Sequence, residues 1–189
     1  MKKTILTLFL LGLVNLSFSQ NSSIEKSITG IQIGFFGTGI YNETRLSDKI
    51  ALRSQFGLFG LNLAMFGDQL YRETGFILYP ELSIEPKWYY NLDKRILKSK
   101  NIKNNGANFL SLNIQYSPNW FEISNYDNVI VNNTLSIIPT WGFRRNFAKN
   151  FNYEFRIGLG YGVILKWKDY IENENGTVID LGFKIGYDF

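Results

Sequence analysis

Apolar and polar residues alternate one by one along most of this chain. The clearest run closes it: from Val178 to Phe189, Ile179, Leu181, Phe183, Ile185, Tyr187 and Phe189 share one parity, while Asp180, Gly182, Lys184, Gly186 and Asp188 share the other. A period of two sends successive side chains to opposite faces of a strand, so this stretch predicts a strand with one apolar face. The same rhythm predicts strands over Gly30–Thr44, Ile50–Leu61, Thr74–Asn91, Ala107–Trp120, Val131–Arg145 and Phe151–Trp167. In the longest run, Phe76, Leu78, Leu82, Ile84 and Trp88 oppose Glu81, Ser83, Glu85 and Lys87, and Pro80 and Pro86 fall on the apolar parity. Proline cannot donate to a ladder, so these two positions predict bulges, bends or lapses in pairing.

Leu46–Lys49 and Ala148–Asn150 read as tight turns, and polar loops are expected near Asn62–Glu73, Phe121–Ile130 and Lys168–Gly176. Leu92–Asn105 is a longer connection rich in Asn, with Lys94, Arg95, Lys98, Lys100 and Lys103 against Asp93. Seven strands are evident. An eighth is expected from the N-terminal region, either by splitting Ile28–Thr44 near Gly37-Thr38-Gly39 or by recruiting Ser22–Gly30.

Alternation fits a soluble lipocalin-like barrel as well as a membrane barrel, because each has one apolar and one polar face. The polar parity decides: it is mostly Ser, Thr, Asn, Gln and Gly with a minority of charges, which suits a narrow hydrogen-bonded lumen better than a solvent-washed surface. The apolar parity carries rings near strand ends, Trp88 with Tyr90, Trp120, Trp141 with Phe143, Phe151 with Tyr153, and Trp167. Such rings favour the headgroup level of a bilayer. The fold class expected is all-β, an antiparallel up-and-down transmembrane β-barrel of eight strands, in one domain over 30–189.

The start of the chain reads differently. Lys2 and Lys3, an apolar run from Ile5 to Leu16, and Ser17 and Ser19 around Phe18 have the layout of a secretory signal peptide over 1–19, followed by a flexible lead-in over 20–29. The apolar run is shorter than the ~20 residues that a spanning helix needs. Without Lys2 and Lys3 the formal charge falls from +4 to +2, so a nucleic-acid partner finds no support. The chain has no cysteine, which removes disulfides, thiolate chemistry and a lipoprotein anchor.

On the closing strand Leu181, Phe183, Ile185, Tyr187 and Phe189, with the aromatic end, the chain resembles the small outer-membrane β-barrels of diderm bacteria, the eight-stranded OmpA/OmpX-like group. That resemblance implies the bacterial outer membrane as location, its lipids as partners, and assembly by periplasmic chaperones and the barrel assembly machinery, which reads such an ending. It also implies both termini in the periplasm, with turns at 46–49, 92–105 and 147–150 on that side. The middle one is long for such a turn.

The chain has no histidine. Enzymes among outer-membrane barrels resemble one another in using one as base or dyad partner, since its pKa lies near working pH. Glu81 and Glu85 share the inner parity but stand about 13 Å apart along a strand. No catalytic, cofactor or metal site is therefore expected. Charges in a narrow lumen need partners, so Arg53, Glu81, Glu85, Lys87, Arg144, Glu154, Arg156 and Lys184 are expected to form an ion-paired network, with Arg53 near the height of Glu81 and Arg144 opposite Glu154. The Gly34-x-x-Gly37-x-Gly39 and Gly158-x-Gly160-x-Gly162 patterns predict close backbone approaches in strands rather than phosphate loops.

The function expected is non-enzymatic: a monomeric outer-membrane protein with a structural or surface-interaction role through its outside loops. The alternatives are a narrow passive channel for small solutes and a soluble periplasmic ligand-binding barrel. The basic 92–105 connection reads as a solvated loop, or as a contact for anionic headgroups or a polyanionic envelope partner.

Overall fold

A computed structural model describes residues 22–62, 76–125, 131–165 and 175–189. The expected signal peptide, Trp167 and most of the three long loops lie outside the described residues. The strands are β1 (Ser27–Gly34), β2 (Gly37–Ser47), β3 (Ile50–Asn62), β4 (Phe76–Trp88), β5 (Asn108–Ser117), β6 (Ile123–Ser124), β7 (Thr134–Asn146), β8 (Phe151–Ile164) and β9 (Asn175–Asp188). Eight of them form a closed up-and-down antiparallel barrel, in the order β1-β2-β3-β4-β5-β7-β8-β9. Closure comes from β1 pairing with β9, Ile31 opposite Tyr187 and Ile33 opposite Ile185. The two-residue β6 pairs with Ile77 and Leu78 of β4. One end of the barrel carries both ends of the strand order and the connections 48–49, 89–107 and 147–150; it is called the lower end, and the other the loop end.

The eighth strand arises by the split near Gly37. β1 and β2 are joined through Phe35-Phe36, and Gly37 has φ +146°, a conformation that side-chain-bearing residues rarely adopt. A Cβ there would also lie 2.2 Å from the Leu58 carbonyl oxygen.

The prolines behave as their chemistry requires. Opposite β5, the β4 ladder lapses at Glu85 and Pro86 and resumes at Lys87–Ser111 without a change of register. Pro80 falls where β4 leaves Leu82–Tyr116 on β5 and takes up Leu78–Ile123 on β6. Pro139 of β7 lies in a similar lapse against β8, between Ile137–Tyr161 and Thr140–Gly158. Each proline keeps a partner on its other side, Leu52 for Pro86, Leu58 for Pro80 and Leu112 for Pro139.

Polarity is inverted relative to a soluble domain. Ile33, Leu159 and Ile179 are 64%, 63% and 72% exposed on the outside, while Glu43, Arg53, Lys87 and Arg144 are between 0% and 2% exposed inside. On the outer face near the lower end Trp88, Tyr90, Trp141, Phe143, Phe151 and Tyr153 of the expected rings join into a belt, while Trp120 stands exposed at the loop end. Trp88 packs edge-on to Tyr90, Trp141 donates Nε1–H to the Tyr90 hydroxyl at 2.9 Å, and ring contacts run on through Phe143, Tyr153, Phe147 and Phe151 to Tyr187 and Phe189.

Two expectations are corrected at the lower end. The 92–105 connection is not simply a solvated loop: it contains a short helix α1 (Leu92–Leu97) and a 3-10 turn at Lys103–Asn105, and folds under the barrel. The 20–29 segment is not a loose lead-in either, since β1 starts at Ser27 and residues 22–26 are fastened to this cap. Ile24 joins Ala51, Tyr89, Leu92, Ala107 and Phe109 in a small apolar cluster, the Ile24 amide donates to Asp48 O, and the Glu25 amide donates to Asn105 Oδ1. The sequence hid this because the cap is built without a period, by Leu92 and the short run Asn105–Ala107 in a stretch of exposed lysines.

Asp93 anchors α1 to the β2–β3 turn through Lys49 at 2.5 Å and to the N-terminal segment through Ser22 Oγ–H. The Lys49 and Ser22 hydrogen bonds hold its carboxyl below the usual aspartate range.

Two outcomes are expected. Gly37→Ala should destabilise the barrel by about 1–3 kcal/mol through backbone strain, read from urea unfolding in detergent micelles. In a carboxyl NMR titration Asp93 should have a midpoint below that of an ordinary aspartate, and Lys49→Met should raise it. The anchor therefore contributes stability above the ordinary pKa and loses it as pH falls through the lowered one.

Candidate functional site

The interior is the only place where this fold gathers chemistry among the described residues. Inward positions of all eight staves bring polar or charged groups into one narrow column, β1 contributing Gln32. Glycines on the same face make the room. A Cβ on Gly30 would meet the Tyr41 ring oxygen at 2.8 Å, and one on Gly182 would meet Arg156 Cγ at 3.0 Å. This is the close-approach role expected of strand glycines.

The lower half of the column is a balanced cluster in which Glu43, Glu154 and Asp188 face Arg53, Lys87 and Arg144. Glu154 Oε2 accepts from Arg53 Nη1 at 3.0 Å and from Lys87 Nζ at 2.9 Å. Glu43 Oε2 lies 3.9 Å from each of Arg53, Lys87 and Arg144, and its Oε1 accepts from the Tyr89 hydroxyl and Asn105 Nδ2, both at 2.6 Å. Arg144 donates to Asp188 Oδ1 at 2.6 Å and to the Tyr41 hydroxyl at 2.8 Å. The second oxygen of Asp188 accepts from Asn104 and Asn152. Aromatic faces complete the shell, with Arg53 4.0 Å from the Tyr41 centroid and Lys87 3.9 Å from that of Phe109. Every cation thus meets a carboxylate, as burial demands.

Higher up, Arg156 bridges Glu85 at 3.5 Å and Asp180 at 2.5 Å, and Ser111 donates to Glu85 at 2.6 Å. Glu81 and Lys184 lie above this bridge, half-buried, and neither has an ion pair or hydrogen bond among the described residues. Glu81 and Glu85 therefore sit in different surroundings and do not form a paired-carboxylate site.

Six of the eight expected lumen charges, Arg53, Glu85, Lys87, Arg144, Glu154 and Arg156, are joined by ion pairs; Glu81 and Lys184 line the same lumen outside it. Two expected neighbourhoods are corrected. Arg53 is level with Glu85 rather than Glu81, whose register partner is Gly57. Arg144 does face Glu154 across the β7–β8 ladder, yet its ion pairs are with Asp188 and Glu43, because both side chains project inward and reach across the lumen rather than along the sheet. Sequence reasoning missed Glu43, Tyr41, Asp180, Asp188 and Asn105 as network members. Asp180 and Asp188 share the inner parity of the closing strand, and Glu43 shares that of Tyr41, so parity was the available signal for all but Asn105.

Of the closing-strand residues, Leu181, Phe183, Ile185 and Phe189 are exposed on the outer face and Tyr187 is half-buried there. At the loop end the lumen widens into a cup of about 600 Å³, continuous through shared walls at Phe36, Phe59, Glu81, Gln115 and Asp180 with a recess of about 50 Å³ beside Lys184.

Comparison with known proteins finds no matching family model, no matching curated protein and no matching solved structure.

Glu154→Ala should cost about 3–5 kcal/mol, because it leaves two buried cations without their carboxylate. Lys94→Gln on the exposed side of α1 should change stability by less than about 0.5 kcal/mol. Equilibrium unfolding in micelles checks both.

Proposed function

We propose that this chain is a non-enzymatic outer-membrane β-barrel, sealed at its lower end, that meets its surroundings through its loop end. The observation that carries this reading is the inverted polarity. A continuous outer belt of exposed Ile, Leu and Phe far exceeds what a water-soluble surface tolerates, and it is bounded at one end by a ring of Trp, Tyr, Phe and the C-terminal Phe189. A closed barrel leaves no strand edge and satisfies its backbone internally, which is what hydrocarbon requires. The strands of 8 to 14 residues suit tilted staves across a bilayer core. The resemblance of the closing strand to OmpA/OmpX-like barrels supports the same location and an assembly route through the barrel assembly machinery.

The buried cluster around Glu43 and Glu154 and the cap at 89–107 favour a sealed barrel over a passive channel, since water or solute would have to pass side chains that are fully buried and ion-paired across the lumen. The long loops near 62–73, 121–130 and 168–176 then become the natural surface for recognition.

The chain's lack of cysteine gives a direct test. A membrane-impermeant maleimide should label Glu122→Cys at the loop end in intact cells, and should label Lys98→Cys at the lower end only after the outer membrane is permeabilised. Release of the protein by osmotic shock, or labelling of the two sites in the reverse order, would contradict the proposal.

A further inference from the structure

The cup at the loop end has a composition that the sealed lower half does not. One wall is a run of three rings, Phe36 against Phe59 with centroids 6.2 Å apart and Phe59 against Tyr79 at 5.4 Å. Ile138 and Val178 line it from other staves. Its volume of about 600 Å³ falls in the range of small-molecule sites. At its base the Arg156 bridge has already taken up Asp180 and Glu85, while Glu81 and Lys184 face each other's charge without an ion pair or hydrogen bond among the described residues. These two groups stand on β4 and β9, which lie four places apart in the eight-stave ring and so on opposite sides of the lumen. Both line the same small recess, whose volume of about 50 Å³ admits a few waters or the compact charged end of a small molecule.

We propose that the cup binds a small zwitterion with an aromatic or branched apolar body, of the amino acid or dipeptide class. The ammonium of the ligand meets Glu81, its carboxylate meets Lys184, and its body lies along Phe36, Phe59 and Tyr79. An opposed carboxylate and ammonium under an apolar wall discriminate such a molecule from any singly charged analogue, because an analogue leaves one buried charge uncompensated. A purely apolar ligand would strand both. The access route from outside the cell rests on the proposed function; the binding itself does not.

The test is calorimetric titration of the full-length barrel, purified from membranes in detergent, with four probes: L-phenylalanine, phenethylamine, phenylpropionate and N-acetylphenylalanine amide. L-Phenylalanine should bind most tightly, and the doubly blocked probe about tenfold or more weakly. Glu81→Gln should weaken phenylalanine and phenethylamine while sparing phenylpropionate, and Lys184→Gln should weaken phenylalanine and phenylpropionate while sparing phenethylamine. Val178→Trp, which fills the cup without altering either charge, should abolish binding of all four, with the folded state of each variant checked by its thermal midpoint. Equal affinity for charged and blocked probes, absence of binding heat with phenylalanine, or indifference to both charge substitutions would overturn the proposal. Because the titration does not depend on orientation in the membrane, it can fail while the labelling experiment succeeds, and the reverse.

Discussion

Charge buried inside a narrow tube has to be neutralised by other charge inside the same tube, and this constraint organises the whole molecule. Eight staves leave an interior that side chains can just fill, and here the filling is ionic. Glu43 sits among Arg53, Lys87 and Arg144, and Glu154 takes hydrogen bonds from two of those cations. The geometry that permits this is dictated by glycine, since Arg156 and Tyr41 occupy space that a Cβ on Gly182 or Gly30 would fill. The outside obeys the complementary demand. With polar groups spent on the lumen, the outer parity is free to be Ile, Leu and Phe.

Much of this was legible in the sequence because a period of two is unambiguous once it runs for ten residues or more. Seven of the eight staves and the inner parity of Arg53, Lys87, Glu154 and Arg156 follow from it, whereas it leaves the source of the eighth open between a split near Gly37 and recruitment of Ser22–Gly30, and the split is what occurs. Pairing across the lumen was not legible. Parity says that Arg144 and Glu154 both point inward, but which carboxylate Arg144 reaches depends on barrel curvature and side-chain length, and the answer is Asp188 and Glu43. The cap was also hidden. Leu92 and the run Asn105–Ala107 are buried within a basic, Asn-rich stretch, and no repeat announces a segment that folds under a barrel.

The two halves of the lumen divide the labour. Below the Arg156 bridge every charge is spent on another charge, and the 89–107 cap adds a second seal held to the N-terminal segment and to the β2–β3 turn. Above it, Glu81 and Lys184 make no ion pair or hydrogen bond among the described residues and lie under a wall of rings facing the loop end. On the proposed function, a barrel closed below with a cup facing its loop end is suited to holding a molecule rather than passing it.

The central claim is that the ionic core seals the barrel. The most direct measurement is single-channel conductance of the folded protein in a planar lipid bilayer, with folding verified in the same preparation. The account predicts a silent bilayer at all applied voltages that the membrane survives. Reproducible conductance steps of uniform size would contradict it, since ions would then be crossing a column in which Glu43, Arg53, Lys87, Arg144 and Glu154 are held to leave no path.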